Sequence, residues 1–283
     1  MVRELDKGGM GEIYFGRDLN LGKEVAIKLQ TARTFESSTE YGEYGEGISR
    51  EFHLMREILD VRGIPQVIDE GENGRSGRRF LVMELVDGVT AARWIEDHMP
   101  VPREAAVSVV GQLCEILGQL HERHYVHCDV TPKNVMIQSD GRVRLLDVGI
   151  SVPVGEQHEW PCGSPGYAPP EQHRGSRLTP QVDVFALGAL LFQMLAGQLP
   201  YAGVEYPFDG TEQPFPGGLR AVIREDLLSL GLSMVSLAPR QRPRADELLG
   251  YLRPMLPPFR SATPPNATRP DPAAYYRRGL WRS

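Results

Sequence analysis

The sequence predicts an α+β fold of two lobes, and three observations predict it. Short β-like segments alternate with turn signals through the opening third, at residues 12–16, 24–29, 66–70 and 79–85, which reads as a small antiparallel sheet. One helical stretch interrupts them at residues 49–61, where Phe52, Met55, Ile58 and Leu59 share a face. From Arg103 onward the apolar spacing is helical, so a second, larger and mostly helical lobe follows.

The elements follow in chain order. A short first strand precedes the glycine-rich turn at Gly8, Gly9 and Gly11. Because Met1 lies only a few residues before that turn, either the true start is upstream or this lobe is unusually loose. Residues 31–47 are rich in Glu, Tyr, Gly and Ser with few large aliphatics to bury, and are expected to form a mobile insertion. The next helix, at 105–121, carries Val107, Val110, Leu113, Leu117 and Leu120 at helical intervals. Another runs over 182–196 and stops at Gly197 and Pro200, and two more cover 227–237 and 245–255. Residues 256–283 are Pro- and Arg-rich with few aliphatics to offset the entropy of ordering, so a disordered tail is expected. Its end, with Tyr275, Tyr276, Arg277, Arg278, Trp281 and Arg282, suits an acidic partner or a membrane surface, although a plain solvated terminus is the simpler reading.

Composition narrows the function classes. A formal charge of -6 over 283 residues leaves no surplus of Lys and Arg to displace counterions, which argues against a general nucleic-acid binder. Cys114, Cys128 and Cys162 are odd in number and lack metal-ligand spacing, so neither a disulfide framework nor structural zinc is expected. No apolar run reaches the roughly 18–20 residues needed to span a bilayer, and charged residues follow Met1 closely. The expectation is a cytoplasmic protein without an integral membrane segment.

The chemistry concentrates between residues 127 and 149. His127-Cys128-Asp129-Val130-Thr131-Pro132-Lys133-Asn134 precedes strand-like Arg142-Val143-Arg144-Leu145-Leu146, and Asp147-Val148-Gly149 follows. That order sets a lone carboxylate, a carboxamide and a second carboxylate around one short hairpin. Two oxygen ligands and a separate Asp are what phosphoryl transfer through bound magnesium requires, because the chemistry is mostly positioning and charge neutralisation. Upstream, Gly8 and Gly11 let backbone amides approach phosphate oxygens, as a plain glycine-rich hairpin would also do. Val25-Ala26-Ile27-Lys28 is a buried-type strand ending in a lysine, one strand away from those glycines.

Together with Gly163-Ser164-Pro165-Gly166-Tyr167-Ala168-Pro169-Pro170-Glu171-Gln172 and Asp183-Val184-Phe185-Ala186-Leu187-Gly188, these segments resemble the bacterial, eukaryotic-like (Hanks-type) serine/threonine protein kinases over roughly residues 5–255. The resemblance implies a bilobal protein-kinase-like fold, with N-lobe 1–85, hinge 84–88 and C-lobe 89–255. It implies ATP and magnesium as cofactors, with manganese as the alternative metal, and an unidentified protein substrate. Asp129 would orient the substrate hydroxyl and take its proton, while Asn134 and Asp147 would hold the metal. Lys28 would reach the phosphates beneath Gly8 and Gly11, held by Glu51, with Glu57 as the other candidate. Met83 would be the gatekeeper, Glu84 and Val86 would meet adenine through the hinge, and Ile13, Ala26 and Met136 would enclose the ring. Glu171 with Arg242, and Asp183 beneath the catalytic loop, would be structural supports.

The chain departs from that pattern at informative places. Asp6 stands at the first glycine position, Val148 replaces Phe, and Pro169 replaces Ala. Cys128 stands where an arginine would meet an activation-loop phosphate, and Thr131 where a lysine would touch the γ-phosphate. Between Asp147 and Glu171 the hydroxyl residues are Ser151, Ser164 and Tyr167. The reading is an active serine/threonine protein kinase without an activation-loop phosphorylation switch. Two others stay open: a nucleotide-binding pseudokinase scaffold, motivated by Asp6, Thr131 and Val148, and a small-molecule kinase, for which the 163–172 segment would be coincidence.

Overall fold

The alternating segments of the opening third build a five-stranded antiparallel sheet. Its strands are β1 (Arg3–Lys7), β2 (Glu12–Arg17), β3 (Glu24–Leu29), β4 (Val67–Glu72) and β5 (Arg79–Glu84), in the order β1-β2-β3-β5-β4. The structure is a computed structural model that describes residues 3–7, 11–20, 22–30, 38–158, 162–202, 214–215, 219 and 223–282, apart from the side chains of 6–7, 38–46 and 282. Cross-strand partners share a sheet face, and Ile13 pairs with Lys28 while Ala26 pairs with Met83. Since Ala26 and Lys28 are two apart on β3, all four lie on one face. A helix, α1 (Ser38–Glu57), packs on β4 and β5 and buries Ile48, Leu54 and Met55.

The start of α1 corrects the sequence reading. Residues 38–46, expected in a mobile insertion, are helical, and residues 31–37 of that segment lie outside the described residues. Glycines and the lack of an apolar stripe hide this first half from periodicity. It extends a helix whose second half is anchored by packing.

The chain divides into two units, Met1–Asp87 and Gly88–Ser283. The second opens with β6 (Val89–Thr90), α2 (Ala91–His98) and α3 (Arg103–Glu122). The Thr90 hydroxyl accepts from the Arg93 amide at 3.3 Å and so caps α2, a helix the apolar spacing does not reveal. Then come β7 (Tyr125–Val126), β8 (Val135–Ile137), β9 (Val143–Leu145) and β10 (Val152–Pro153). β6-β8-β9 form one small sheet and β10-β7 another. Among the described residues the further α-helices are α4 (Pro170–His173), α5 (Gln181–Ala196), α6 (Glu225–Met234), α7 (Ala245–Leu252) and α8 (Ala273–Arg278). α5 is apolar around most of its circumference and correspondingly buried, which makes it the lobe's central helix.

The tail also departs from expectation. Residues 256–282 are ordered, and α8 buries Ala273, Ala274, Tyr276 and Arg277. The tail needs no aliphatic core of its own because it docks on polar groups of the α2–α3 region. The Tyr275 and Tyr276 hydroxyls donate to Glu115 at 2.8 and 3.1 Å, and Gln112 Nε2 donates to the Pro272 carbonyl at 3.0 Å. Trp94 Nε1 donates to the Pro270 carbonyl at 3.0 Å, and the buried Arg277 guanidinium lies between Asp271 and Glu104. Tyr275, Tyr276 and Arg277 thus meet acidic side chains of this same unit. No helix among the described residues is long and apolar enough to cross a membrane.

Candidate active site

In the first unit the candidate residues gather on β2, β3 and α1. Lys28 Nζ lies 2.7 Å from Glu51 Oε2, and both side chains are 3% exposed. Two charges leave water at such a cost only when they meet closely, so this pairing fixes the rotation of α1 against β3. Glu57, the other candidate, is exposed. An ideal Cβ on Gly11 would come within 3.0 Å of Lys28 Cγ and 3.2 Å of the Leu29 carbonyl oxygen, so only glycine lets β2 begin against the lysine stem. Glu12, next in sequence, is buried against Arg78 Nη2 at 2.6 Å and accepts from the Tyr14 hydroxyl at 3.0 Å. Arg78 Nε also donates to the Gln30 carbonyl, so one guanidinium links the start of β2 to the end of β3. Asp6 pairs with Ile13 in the β1–β2 ladder, whereas Gly8 lies outside the described residues. Ala26 and Val86 are buried, and Ile13, Met83 and Glu84 are half-buried.

In the second unit the β8–β9 hairpin brings the other candidates together. The Leu146 amide donates to the Asn134 carbonyl at 2.7 Å, extending the ladder so that Asn134 and Asp147 emerge at the same end, with Met136 half-buried two residues further along on β8, opposite Arg144. Asn134 Nδ2 donates to Asp129 Oδ2 at 2.7 Å and to its carbonyl at 3.0 Å. The Ser164 hydroxyl donates to Asp129 Oδ1 at 2.7 Å. Asp129 is thus held through both carboxylate oxygens. Asp147 sits at φ +58° and accepts from the Gly149 amide at 3.1 Å, a local bond that helps a carboxylate residue hold a left-handed backbone.

The backbone before Asp129 is pinned from below. Asp183, fully buried on α5, accepts from the His127 amide at 2.9 Å, the Cys128 amide at 2.8 Å and His121 Nε2 at 2.9 Å. Burial alone pushes this carboxyl up, and the hydrogen bond and charge of His121, with contributions from His127, outweigh it and hold it below the ordinary carboxylate value. His127 Nδ1 accepts from the Asp129 amide at 3.2 Å, leaving Nε2 to donate to the Leu146 carbonyl at 3.2 Å. The ring therefore ties the Asp129 loop to the residue before Asp147.

Cys128 has φ +69° and lies in an apolar cluster with Val126, Leu178 and Val182. Burial pushes its thiol far above the usual range. Thr131 and Val148 are buried, and Lys133 is exposed. Glu171 and Arg242 form a two-pronged ion pair, with Arg242 Nη2 3.1 Å from Glu171 Oε2 and the guanidinium 5.0 Å over the Phe185 ring. Gln172, to which the sequence reading assigns no role, is 1% exposed and donates through Nε2 to the Cys128 carbonyl at 2.8 Å. An uncharged side chain in a Pro-Glu-Gln run gives no signal of its own.

Comparison with known proteins agrees with this arrangement. Residues 1–251 match the family described as the protein kinase domain. The chain is similar to the probable serine/threonine-protein kinase PknB of Lactococcus lactis, at 32% identity over 208 residues, covering 72% of this chain and 32% of the relative. It is also similar to the serine/threonine-protein kinase PknB of Mycobacterium leprae, at 29% over 247 residues, covering 83% and 39%. The serine/threonine-protein kinase Pkn1 of Myxococcus xanthus is 31% identical over 211 residues, covering 71% and 29%. The chain thus spans about a third of the length of these curated relatives. With a family match over nearly the whole chain, and with its sheet, helical lobe and hairpin laid out as described, the chain belongs to the protein kinase domain family.

Proposed function

We propose that this chain transfers the γ-phosphoryl group of ATP to serine and threonine hydroxyls of protein substrates, without an activation-loop phosphorylation switch. The observation that carries the reading is Asp129, a carboxylate fixed by Asn134 and Ser164 on a loop braced by Asp183. A general base must be oriented before it is useful, and here both oxygens are oriented. Asp129 aligns the acceptor hydroxyl and takes up its proton as the oxygen attacks.

The donor set fits a hard divalent cation. Both protons of Asn134 Nδ2 are committed to Asp129, so its Oδ1 is left as an oxygen ligand, and Asp147 supplies a carboxylate from the same end of the hairpin. Among the described residues no group of three His, Cys, Asp or Glu forms a closed metal cage, which suits a cation completed by substrate phosphates. Magnesium, or manganese, would supply charge neutralisation of the phosphoryl group there. Lys28, held by Glu51, presents its ammonium to the phosphates, and Ile13, Ala26 and Met83 offer an apolar sheet face to adenine, with Glu84 and Val86 beside them. The absence of a switch is supported by Cys128, which carries no charge for a phosphate and packs in an apolar cluster with Val126, Leu178 and Val182.

Two measurements test this. Phosphoamino-acid analysis after incubation with labelled ATP, magnesium and a generic protein is expected to find label on serine and threonine. Label confined to a small-molecule acceptor would overturn the protein-substrate reading. Asp129→Asn is expected to lower kcat by about 10²–10⁴-fold. Nucleotide-dependent thermal stabilisation with no transfer at all would instead favour the scaffold, which Thr131 motivates.

A further inference from the structure

The peptide of Cys128 immediately precedes the base, and it is held at both ends. Its amide donates to Asp183 Oδ1 at 2.8 Å, and its carbonyl accepts from Gln172 Nε2 at 2.8 Å. The residue between them is in the left-handed region, at φ +69°, which a non-glycine residue keeps only when its surroundings impose it. Asp183 supplies one constraint from α5. Gln172 supplies the other, from α4 at the end of the segment that also carries Ser164.

Gln172 is costly to keep for packing alone. It is 1% exposed, and its Oε1 is buried with no hydrogen-bond partner among the described residues. A buried amide with an unmet acceptor lowers stability relative to an apolar side chain of the same shape. The chain also makes room for it at Gly163, where an ideal Cβ would lie 2.6 Å from Gln172 Nε2 and φ is +112°. Cys128 offers no cation to hold the segment ionically; its thiol is turned into the Val126, Leu178 and Val182 cluster.

We propose that Gln172 is a positioning residue for phosphoryl transfer. Through the Cys128 carbonyl it locks the loop that carries Asp129 to the segment that carries Ser164, by a neutral hydrogen bond formed without phosphorylation. The inference rests on the kinase reading for its kinetic consequence and on geometry alone for its structural one.

The test uses the full chain with Gln172→Met, which keeps length and loses the donor, and Gln172→Glu, which keeps shape and sets an acceptor against the carbonyl. Hydrogen exchange is expected to accelerate at the amides of residues 127–134 in both variants while α5 stays protected. With a generic protein substrate, kcat of Gln172→Met is expected to fall about tenfold or more, with KM for ATP within about twofold and a melting temperature no lower than that of the wild type, as misplacement of a base by a fraction of an ångström would produce. Phosphatase treatment of the wild type is expected to leave kcat unchanged. Unaltered loop exchange, a kcat that stays at the wild-type value, or activity lost on dephosphorylation would each overturn the proposal. A wild type that transfers no phosphate would overturn the kinase reading instead, and loop exchange in the variants would still decide the positioning role.

Discussion

Lys28 and Glu51 carry most of the electrostatic commitment of the first unit, since both side chains are almost fully withdrawn from water. Removing one partner of such a pair costs about 3–5 kcal/mol, because the other charge stays buried without its counter-ion. Glu51→Ala is therefore expected to lower unfolding free energy by that order in urea denaturation, and Glu51→Ala with Lys28→Met is expected to recover part of the loss. An unchanged midpoint in the single variant would contradict the burial described here. The resemblance pointed to Glu51 because Leu54, Met55 and Ile58 follow it as apolar residues follow the lysine's partner in kinases, and in the structure Glu57, the other candidate, is exposed. Gln172 was not readable, because a hydrogen bond from an amide to a backbone carbonyl leaves no charge or spacing pattern behind. Cys128 lies between these cases. Its missing charge is plain in the sequence, but the apolar cluster that takes the thiol is assembled from residues more than fifty positions apart, as Val126 and Val182 show.

Among elements, the docked tail differs most from expectation. The sequence shows few aliphatics there and so no core-forming periodicity, while the order comes from two tyrosine hydroxyls on Glu115 and from Arg277 between Glu104 and Asp271. Polar complementarity to a distant helix cannot be read from local composition. The central helices are the opposite case: α3 and α5 follow apolar spacing within about two residues, the usual uncertainty of helix ends. Glu115 gives the tail a pH signature. Burial raises this carboxyl, and the tyrosine hydrogen bonds and Arg253 only partly offset that. A carboxyl whose folded value lies above its unfolded one contributes stability below the unfolded value and loses it as pH rises through the folded one. Glu115→Gln is therefore expected to gain on the wild type in melting temperature as pH rises through that window. A difference that stays flat with pH would contradict the raised value.

At the scale of the molecule, each of the two units carries its own share of the groups proposed for phosphoryl transfer. The first carries a buried cation on a sheet face opened by glycine, and the second carries the oriented carboxylate with a carboxamide and a carboxylate at one hairpin end. This division was legible in the order of motifs, and the fold follows it. Less legible was how a chain with Thr131 and Cys128 in place of two cations holds its loop, because the answer lies in hydrogen bonds that involve Asp183, Gln172 and Ser164 rather than in the motif letters. If those contacts suffice, activity persists without modification. Thr131→Lys is then expected to raise kcat by restoring a positive charge where negative charge is transferred, read in steady-state kinetics with KM for the protein substrate little changed.

The most direct measurement is transfer of radiolabel from ATP, with magnesium, to a generic protein substrate by phosphatase-treated wild type and by Asp147→Ala. The account predicts label on serine and threonine from the wild type and none above background from the variant. Equal silence from both proteins, with nucleotide binding intact in the wild type, would contradict it.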